Sequence, residues 1–91
     1  MGVTIKIPAV LRGFTDRARE VPGRGATVGE LIANLEADHP GIGRHLVGED
    51  GALGGSINLF VNDHNVRTLE GLDSPIHDGD TVAFVPSASG G

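Results

Sequence analysis

The sequence predicts an α+β fold in which a mixed sheet of about four to five strands packs on one main helix. Two observations lead to this prediction. Segments at both ends of the chain alternate apolar and polar residues with a period of two, which is typical of half-buried strands. One amphipathic helical segment lies between them, so two apolar strands that are distant in sequence can pair as central strands under a single helix.

The first two strands are predicted near the start of the chain. Residues 3–8 alternate in polarity, and their apolar side is formed by Val3, Ile5 and Ile7. A weaker second strand is expected over residues 17–21. The segment Pro22-Gly23-Arg24-Gly25 should end this strand, because proline and glycine interrupt regular structure.

The main helix is predicted to begin after Thr27. Thr27 and Glu30 fit a capping box, in which the threonine hydroxyl accepts from the Glu30 amide and the glutamate reaches back. The helical face that follows is apolar at the spacing i, i+3, i+4 and i+7, and it is formed by Val28, Leu31, Ile32 and Leu35. Pro40-Gly41 is expected to end the helix after His39.

A helical turn, a loop and a hairpin are predicted next. Residues 42–47 are expected to form a short turn of helix, and residues 48–55, with four glycines, a mobile loop. Residues 56–62 alternate again, with a core side formed by Ile57, Leu59 and Val61. Residues 62–65 belong to types that tolerate left-handed turns, so a short return strand is expected to begin at Val66.

The last strand is predicted over residues 81–85, after a turn at residues 77–80. Pro86 should stop its ladder, because proline has no amide donor. The order strand, strand, helix, strand, short strand, strand is the β-grasp arrangement, the ubiquitin-like fold. We therefore expect one β-grasp domain over residues 1–86 and a flexible C-terminal tail over residues 87–91.

Composition limits the classes of function. The chain has 91 residues, no cysteine, and seven basic against twelve acidic residues, for a net charge of −5. Without cysteine it has neither a disulfide framework nor a thiolate nucleophile. The acidic charge and the lack of Tyr and Trp argue against nucleic acid and favour a basic protein partner. Because no apolar run approaches the ~20 residues that span a membrane, and no signal segment follows Met1, we expect a cytoplasmic protein.

No metal site is predicted for this chain. The four histidines, His39, His45, His64 and His77, lack the close spacing of zinc ligands. Asp78 and Asp80 flank Gly79, but the later ligands of a calcium-binding loop are missing. These two aspartates are therefore interpreted as turn formers.

Strand alternation also predicts a docking face on the side of the sheet away from the helix. Pro8, Phe60 and Val85 are expected to form an exposed apolar patch there, beside the root of the tail. Such patches mark interaction sites when they are large enough. The alternative is a register that differs by one residue, which would place some of these side chains in the core.

Three segments of the chain form a pattern found in a known family, namely residues 57–67, residues 78–86 and the terminal Gly90-Gly91. This pattern resembles the ubiquitin-like sulfur carriers, a group that contains the small subunit of molybdopterin synthase and the thiamine sulfur carrier. Within the group, residues 7–12 and residues 62–67 look most like the mycobacterial branch that serves cysteine biosynthesis. The likeness covers nearly the whole chain.

The resemblance implies a sulfur carrier that is a protein co-substrate and has no catalytic residues of its own. In this family an E1-like enzyme uses ATP to adenylate the terminal carboxylate, here that of Gly91. A sulfide or persulfide donor then converts it to a thiocarboxylate. Small residues suit a tail that threads a narrow channel, and here they are Ser87, Ala88, Ser89 and Gly90.

The resemblance also implies partners and their cofactors. A PLP-dependent cysteine synthase would receive the sulfur, and a zinc metallopeptidase would release the cysteine. PLP and zinc would belong to those partners, and this chain would bind no cofactor. Arg12 and Arg67 match the family pattern, and each is expected either to contact a partner or to pair with acidic neighbours.

Two alternatives stay open at this point. The same carrier chemistry could supply molybdopterin, thiamine, tRNA thiolation or a natural product. A function of a different class is a ubiquitin-like modifier that forms isopeptide bonds with lysines. Lys6 is the only lysine of the chain, which counts against modifier chains built on this protein.

Overall fold

A computed structural model describes residues 2–47 and 57–86 of the chain. The regular elements in these ranges are β1 (Val3–Lys6), β2 (Glu20–Gly23), α1 (Val28–Asp38), β3 (Ile57–Val61), β4 (His64–Asn65) and β5 (Thr81–Pro86). Short 3-10 helices connect them at Ala9–Phe14, Gly43–His45, Val66–Thr68 and Gly71–Asp73. The predicted loop at residues 48–55 and the predicted tail at residues 87–91 lie outside the described residues.

The five described strands form one mixed sheet of order β2-β1-β5-β3-β4. The two central strands β1 and β5 are parallel, and the other neighbouring pairs are antiparallel. The first and last strands of the sequence therefore pair as predicted, and the β-grasp fold is confirmed. No helix in the described part of the chain is long and apolar enough to cross a bilayer.

The core lies between α1 and one face of the sheet. All four predicted apolar residues of the helix are buried, and so are the odd-numbered residues of β1 and β3. On β5 the residues that face the core are Val82 and Phe84. The predicted strand alternation is confirmed, and a register that differs by one residue is excluded.

The predicted helix cap is present with one difference. The Thr27 hydroxyl accepts a hydrogen bond from the Glu30 amide at 3.2 Å, as a capping box requires. The Glu30 carboxylate reaches back to the amide of Ala26, at 3.0 Å, one residue before the cap residue. The helix ends at Asp38, one residue before the predicted end, and His39 is its C-cap residue.

The second strand differs from the prediction of residues 17–21, because β2 begins only at Glu20. Asp16 and Arg17 have φ angles of 53° and 68°, so they form a left-handed turn between the 3-10 helix and β2. Neither residue is glycine, and the local sequence carries no strong signal for this turn.

Pro22 was expected to end β2 but lies within it, opposite Thr4. The amide of Ile7 donates to the carbonyl of Arg19 at 2.7 Å, so the odd-numbered residues of this chain segment carry the bonds to β2. The position of Pro22 therefore faces the open edge of the sheet, where a missing amide breaks no ladder bond.

The return strand also differs from the prediction, because β4 begins at His64 and not at Val66. Val61 pairs with His64, which leaves a loop of two residues, Asn62 and Asp63. Their φ angles of 50° and 77° match the tight turn that suits a hairpin. Val66 begins a 3-10 helix and is fully buried.

Pro86 is the last described residue of β5 and lies opposite Ile57. A proline is tolerated at this position because it needs no amide bond there. The expectation that it stops the ladder concerns residues beyond 86, which lie outside the described part.

Candidate functional site

The face of the sheet opposite α1 carries a row of residues to which all five described strands contribute. Lys6 of β1 lies opposite both Glu20 of β2 and Ala83 of β5. Phe60 of β3 lies opposite both Ala83 and Asn65 of β4. Directly opposed residues share one face of a sheet, so Lys6, Ala83 and Phe60 are neighbours on this face.

A groove of about 530 Å³ follows β5 across the middle of this row, and we call it the docking groove. It is lined by Lys6, Phe60, Asn62, Asp63, Thr81, Ala83 and Val85. The small side chain of Ala83 lies between the larger Lys6 and Phe60, which explains the depression at the centre. The groove is polar at Thr81, where β5 begins, and apolar at Val85, near the root of the tail.

The polar end of the docking groove is held by a hydrogen-bond network. The Asn62 side-chain amide donates to Oδ1 of Asp80 at 2.8 Å and accepts from the Thr81 amide at 2.9 Å. Oδ2 of Asp80 accepts from the His77 amide at 2.9 Å. The bonds from His77 and Asn62 lower the pKa of Asp80. These contacts tie the β3–β4 turn to the start of β5.

Two of the three residues predicted for the apolar patch line the docking groove. Phe60 is half-buried, and Val85 is 42% exposed. Pro8 is half-buried and precedes the 3-10 helix at Ala9–Phe14, outside the groove lining. That these residues dock on a partner stays a prediction.

The two predicted arginines lie outside the docking groove. Nε of the half-buried Arg12 donates to the Ile7 carbonyl at 3.0 Å, so it ties the 3-10 helix to the end of β1. Arg67 is exposed, and its backbone amide donates to Oδ1 of Asn65 at 2.9 Å. Their partner contacts stay predictions. The tail residues Ser87, Ala88, Ser89, Gly90 and Gly91 lie outside the described residues.

Sequence reasoning missed several residues of this site. Lys6 and Ala83 belong to this site because the strand order places both beside Phe60, and no local pattern of the sequence predicts that these residues are neighbours. Asn62 had been interpreted as a turn residue, and its bonds to residues 18 and 19 positions away have no local signal. Val10, 66% exposed, also went unnoticed; it follows β1, whose end lies at the same edge of the sheet as the end of β5 because the two strands are parallel.

Histidine, aspartate and glutamate side chains form no metal site in the described ranges. Within residues 2–47 and 57–86, no three such side chains are grouped so that they could hold a metal ion. Asp80 accepts hydrogen bonds from His77 and Asn62, so the network at the polar end of the groove serves the fold.

Comparisons with known proteins agree on one family. The chain matches the ThiS family over residues 5–91. It is 40% identical over 93 residues to the sulfur carrier protein CysO of Mycobacterium tuberculosis H37Rv, with both chains covered completely. A chain in the crystal structure of the Amycolatopsis orientalis BexX/CysO complex superposes with a TM-score of 0.92 and 42% identity, covering 99% of this chain and 100% of that one.

A further structure extends the comparison to archaea. The small archaeal modifier protein 1 of Methanosarcina acetivorans superposes with a TM-score of 0.82 and 32% identity, covering 98% of this chain and 95% of that one. The same fold is thus shared by proteins named as sulfur carriers and by one named as a modifier.

Proposed function

The chain belongs to the ThiS family and is a sulfur carrier protein with a ubiquitin-like β-grasp fold, and from this premise we propose how it carries sulfur. The carboxylate of Gly91 is adenylated by an E1-like enzyme and converted to a thiocarboxylate, which donates its sulfur for cysteine biosynthesis. The observation that supports this proposal most is the full-length identity of 40% to a protein named sulfur carrier protein CysO.

Two displacement steps make up the proposed chemistry, the first at the α-phosphorus of ATP and the second at the C-terminal carbonyl of Gly91. A carboxylate oxygen of Gly91 attacks the α-phosphorus of ATP, and pyrophosphate leaves. Sulfide then attacks the acyl carbon, the C–S bond forms, and AMP leaves with the electron pair of the broken C–O bond. The terminal carboxyl is ionised at neutral pH, because its reference pKa is about 3.3 to 3.7. Activation comes from the enzyme and ATP, so this chain acts as a co-substrate.

Small residues around the reacting carbonyl favour both steps. Gly91 has no Cβ that would obstruct attack at the phosphorus or at the acyl carbon. Residues 87–91 can span roughly 17 Å when extended, at ~3.3 to 3.6 Å per residue. This length is enough to carry the carbonyl from the domain into a recessed active site.

The docking groove holds the domain on the activating enzyme while the tail reaches the active site. Phe60 and Val85 supply its apolar surface, at the end nearer the root of the tail. Pro8, Arg12 and Arg67 contribute at the margins of the same interface. An interface of this kind has an apolar centre and a polar rim, as the change from Val85 to Thr81 along β5 provides.

Downstream of the thiocarboxylate, the proposed acceptor is a PLP-dependent cysteine synthase. A zinc metallopeptidase then removes the cysteine and regenerates Gly91. PLP and zinc belong to these partner enzymes. Because adenylation consumes ATP, we place the chemistry in the cytoplasm.

Intact-protein mass spectrometry tests the proposal directly. The full chain is incubated with the purified E1-like enzyme from the same organism, ATP and sulfide, and a gain of about 16 Da is expected as one oxygen is replaced by sulfur. A variant that lacks Gly90-Gly91 is the matched control, and it should fold and stay unmodified. Addition of a cysteine residue in the presence of the synthase and O-phosphoserine or O-acetylserine would select the cysteine pathway.

Two results would contradict the proposal. One is an unchanged mass beside a working carrier from another species. The other is adenylation of the truncated variant at the rate of the full chain. Isopeptide adducts on other proteins in place of the thiocarboxylate would favour the modifier function that the Methanosarcina acetivorans relative is named for.

A further inference from the structure

The only lysine of the chain, Lys6, forms part of the wall of the docking groove. Lys6 is exposed on the face of β1 that points away from α1. Within residues 2–47 and 57–86 its ammonium forms no ion pair, whereas the Arg24 guanidinium pairs with Asp38. Its cross-strand neighbour on the edge strand β2 is Glu20, a residue of opposite charge.

The polar groups of the docking groove are distributed unevenly. The Asn62 side chain is hydrogen-bonded to Asp80 and Thr81. The charged residues of the lining are Lys6 and Asp63. Asp63 lies in the β3–β4 turn at the polar end, whereas Lys6 lies beside Ala83 and across β5 from Phe60. Two strand spacings, about 9.6 Å, separate the backbones at Lys6 and Phe60. This space over Ala83 admits one side chain of a partner.

A purely apolar surface that covered this groove would bury the ammonium of Lys6 without a partner. A buried and unpaired charge is costly, so a surface that fits the groove must either pair with the ammonium or let it reach solvent. The stem of Lys6 adds apolar area to the groove wall, which a partner can cover only if the charge is satisfied. The net charge of −5 favours a basic partner overall, but a surface that covers Lys6 must carry a negative charge there or leave the ammonium in solvent.

We propose that Lys6 is the charge-specific contact of the docking groove and that the E1-like enzyme places an Asp or Glu side chain over Ala83. The carboxylate pairs with the Lys6 ammonium, and apolar neighbours of that residue pack on Phe60 and Val85. This inference rests on the proposed function, because it assigns the chemistry of the surface that docks there.

Chemical footprinting of amines tests whether the groove is covered, because one lysine gives one signal. The full chain is treated with an amine-acetylating reagent with and without saturating E1-like enzyme, and acetylation of Lys6 is followed by peptide mass spectrometry. A lysine-containing reference peptide in the same tube corrects for loss of reagent. Acetylation of Lys6 should slow by about 10-fold or more in the complex. An equal rate in the saturated complex would overturn the proposal.

Charge variants test whether a carboxylate is the partner of Lys6. The dissociation constant of the carrier–enzyme complex should rise about 30-fold for Lys6→Glu and stay within about 3-fold for Lys6→Arg. Arg44→Glu is the matched control, since it makes the same change of charge on an exposed residue of the 3-10 helix at Gly43–His45. Raising the salt concentration should weaken the wild-type complex more than that of Lys6→Gln.

The outcomes separate this inference from the proposed function. If Lys6→Glu binds like Arg44→Glu while Phe60→Ala binds weakly, the groove docks the enzyme and the Lys6 assignment is wrong. If neither Lys6→Glu nor Phe60→Ala weakens binding, the docking role of the groove is wrong as well. The mass gain at Gly91 is measured independently of both. Restoration of Lys6→Glu binding by an Asp→Lys or Glu→Lys change in the enzyme would identify the carboxylate.

Discussion

The two faces of the sheet are built from the same strands, but one face is buried under α1 and the other is partly exposed to solvent. In β3, Leu59 is 1% exposed under the helix, whereas its neighbour Phe60 is half-buried on the open face. In β5, Phe84 is 3% exposed and Val85 is 42% exposed. The covered face is satisfied by contacts within the chain. The open face keeps apolar side chains that remain partly exposed, as the proposed interface with a partner requires.

This difference predicts that adjacent residues of one strand serve different purposes, one in stability and the other in function. A side chain on the covered face should change the free energy of unfolding, and one on the open face should change the rate of sulfur loading. Substitutions at neighbouring positions of one strand test this separation with the same backbone and the same strand pairing.

The largest effect on stability is expected for Leu59→Ala. The substitution leaves a cavity under α1, and the free energy of unfolding should fall by about 2 to 5 kcal/mol. That loss is a large part of the roughly 5 to 15 kcal/mol that stabilises a domain of ordinary size. Urea denaturation followed by circular dichroism measures it. A loss below about 1 kcal/mol would show that the covered face is not the core.

The matched variant Phe60→Ala should have the opposite profile. Its free energy of unfolding should fall by only about 1 kcal/mol, because the ring is half-buried on the open face. The kcat/KM for thiocarboxylate formation at Gly91 should fall about 10- to 100-fold, since an apolar anchor of the interface is removed. Loading reactions that are stopped at set times and read by mass spectrometry give kcat and KM for thiocarboxylate formation. Loading at the wild-type rate would remove the functional contrast between the two faces.

A smaller effect is expected at the polar end of the groove, where Asn62 serves the fold. Asn62→Ala loses the bonds to Asp80 and Thr81 and strains a backbone with φ of 50°, so the free energy of unfolding should fall by about 1 to 2 kcal/mol. Asn62→Gly loses the same bonds but accepts the backbone angle. Equal losses for both variants would show that backbone strain plays no part.

The short-range sequence pattern predicted which residues lie on each face of the sheet. It did not predict where β2 begins or which residues of different strands are neighbours. Period-two alternation assigned Leu59 to the core and Phe60 to the open face, because that pattern depends only on neighbouring residues. The start of β2 was missed, since the left-handed turn at Asp16 has no glycine to signal it. The place of Lys6 in the groove depends on the strand order β1-β5-β3, which no local pattern contains.

The smallest effect is expected from the titration of Asp80. Hydrogen bonds from the His77 amide and the Asn62 side chain hold its pKa below the usual 3.8. A carboxylate with a lowered pKa stabilises the folded state above the pKa of the unfolded chain, and this contribution is lost as the pH falls through the lower, folded pKa. The gap in unfolding free energy between wild type and Asp80→Asn should therefore shrink as the pH falls below about 4.

Asp63→Asn is the control for this titration, because it removes the same charge from the same end of the groove without a contact to His77. Urea titrations at each pH measure all three proteins. A gap between wild type and Asp80→Asn that grows as the pH falls would contradict the assignment. If the gap shrinks as expected while sulfur loading of Asp80→Asn stays within about 3-fold of wild type, the polar end of the open face serves the fold. The docking function then belongs to the apolar end at Phe60 and Val85, so the boundary between structural and functional residues crosses the open face itself.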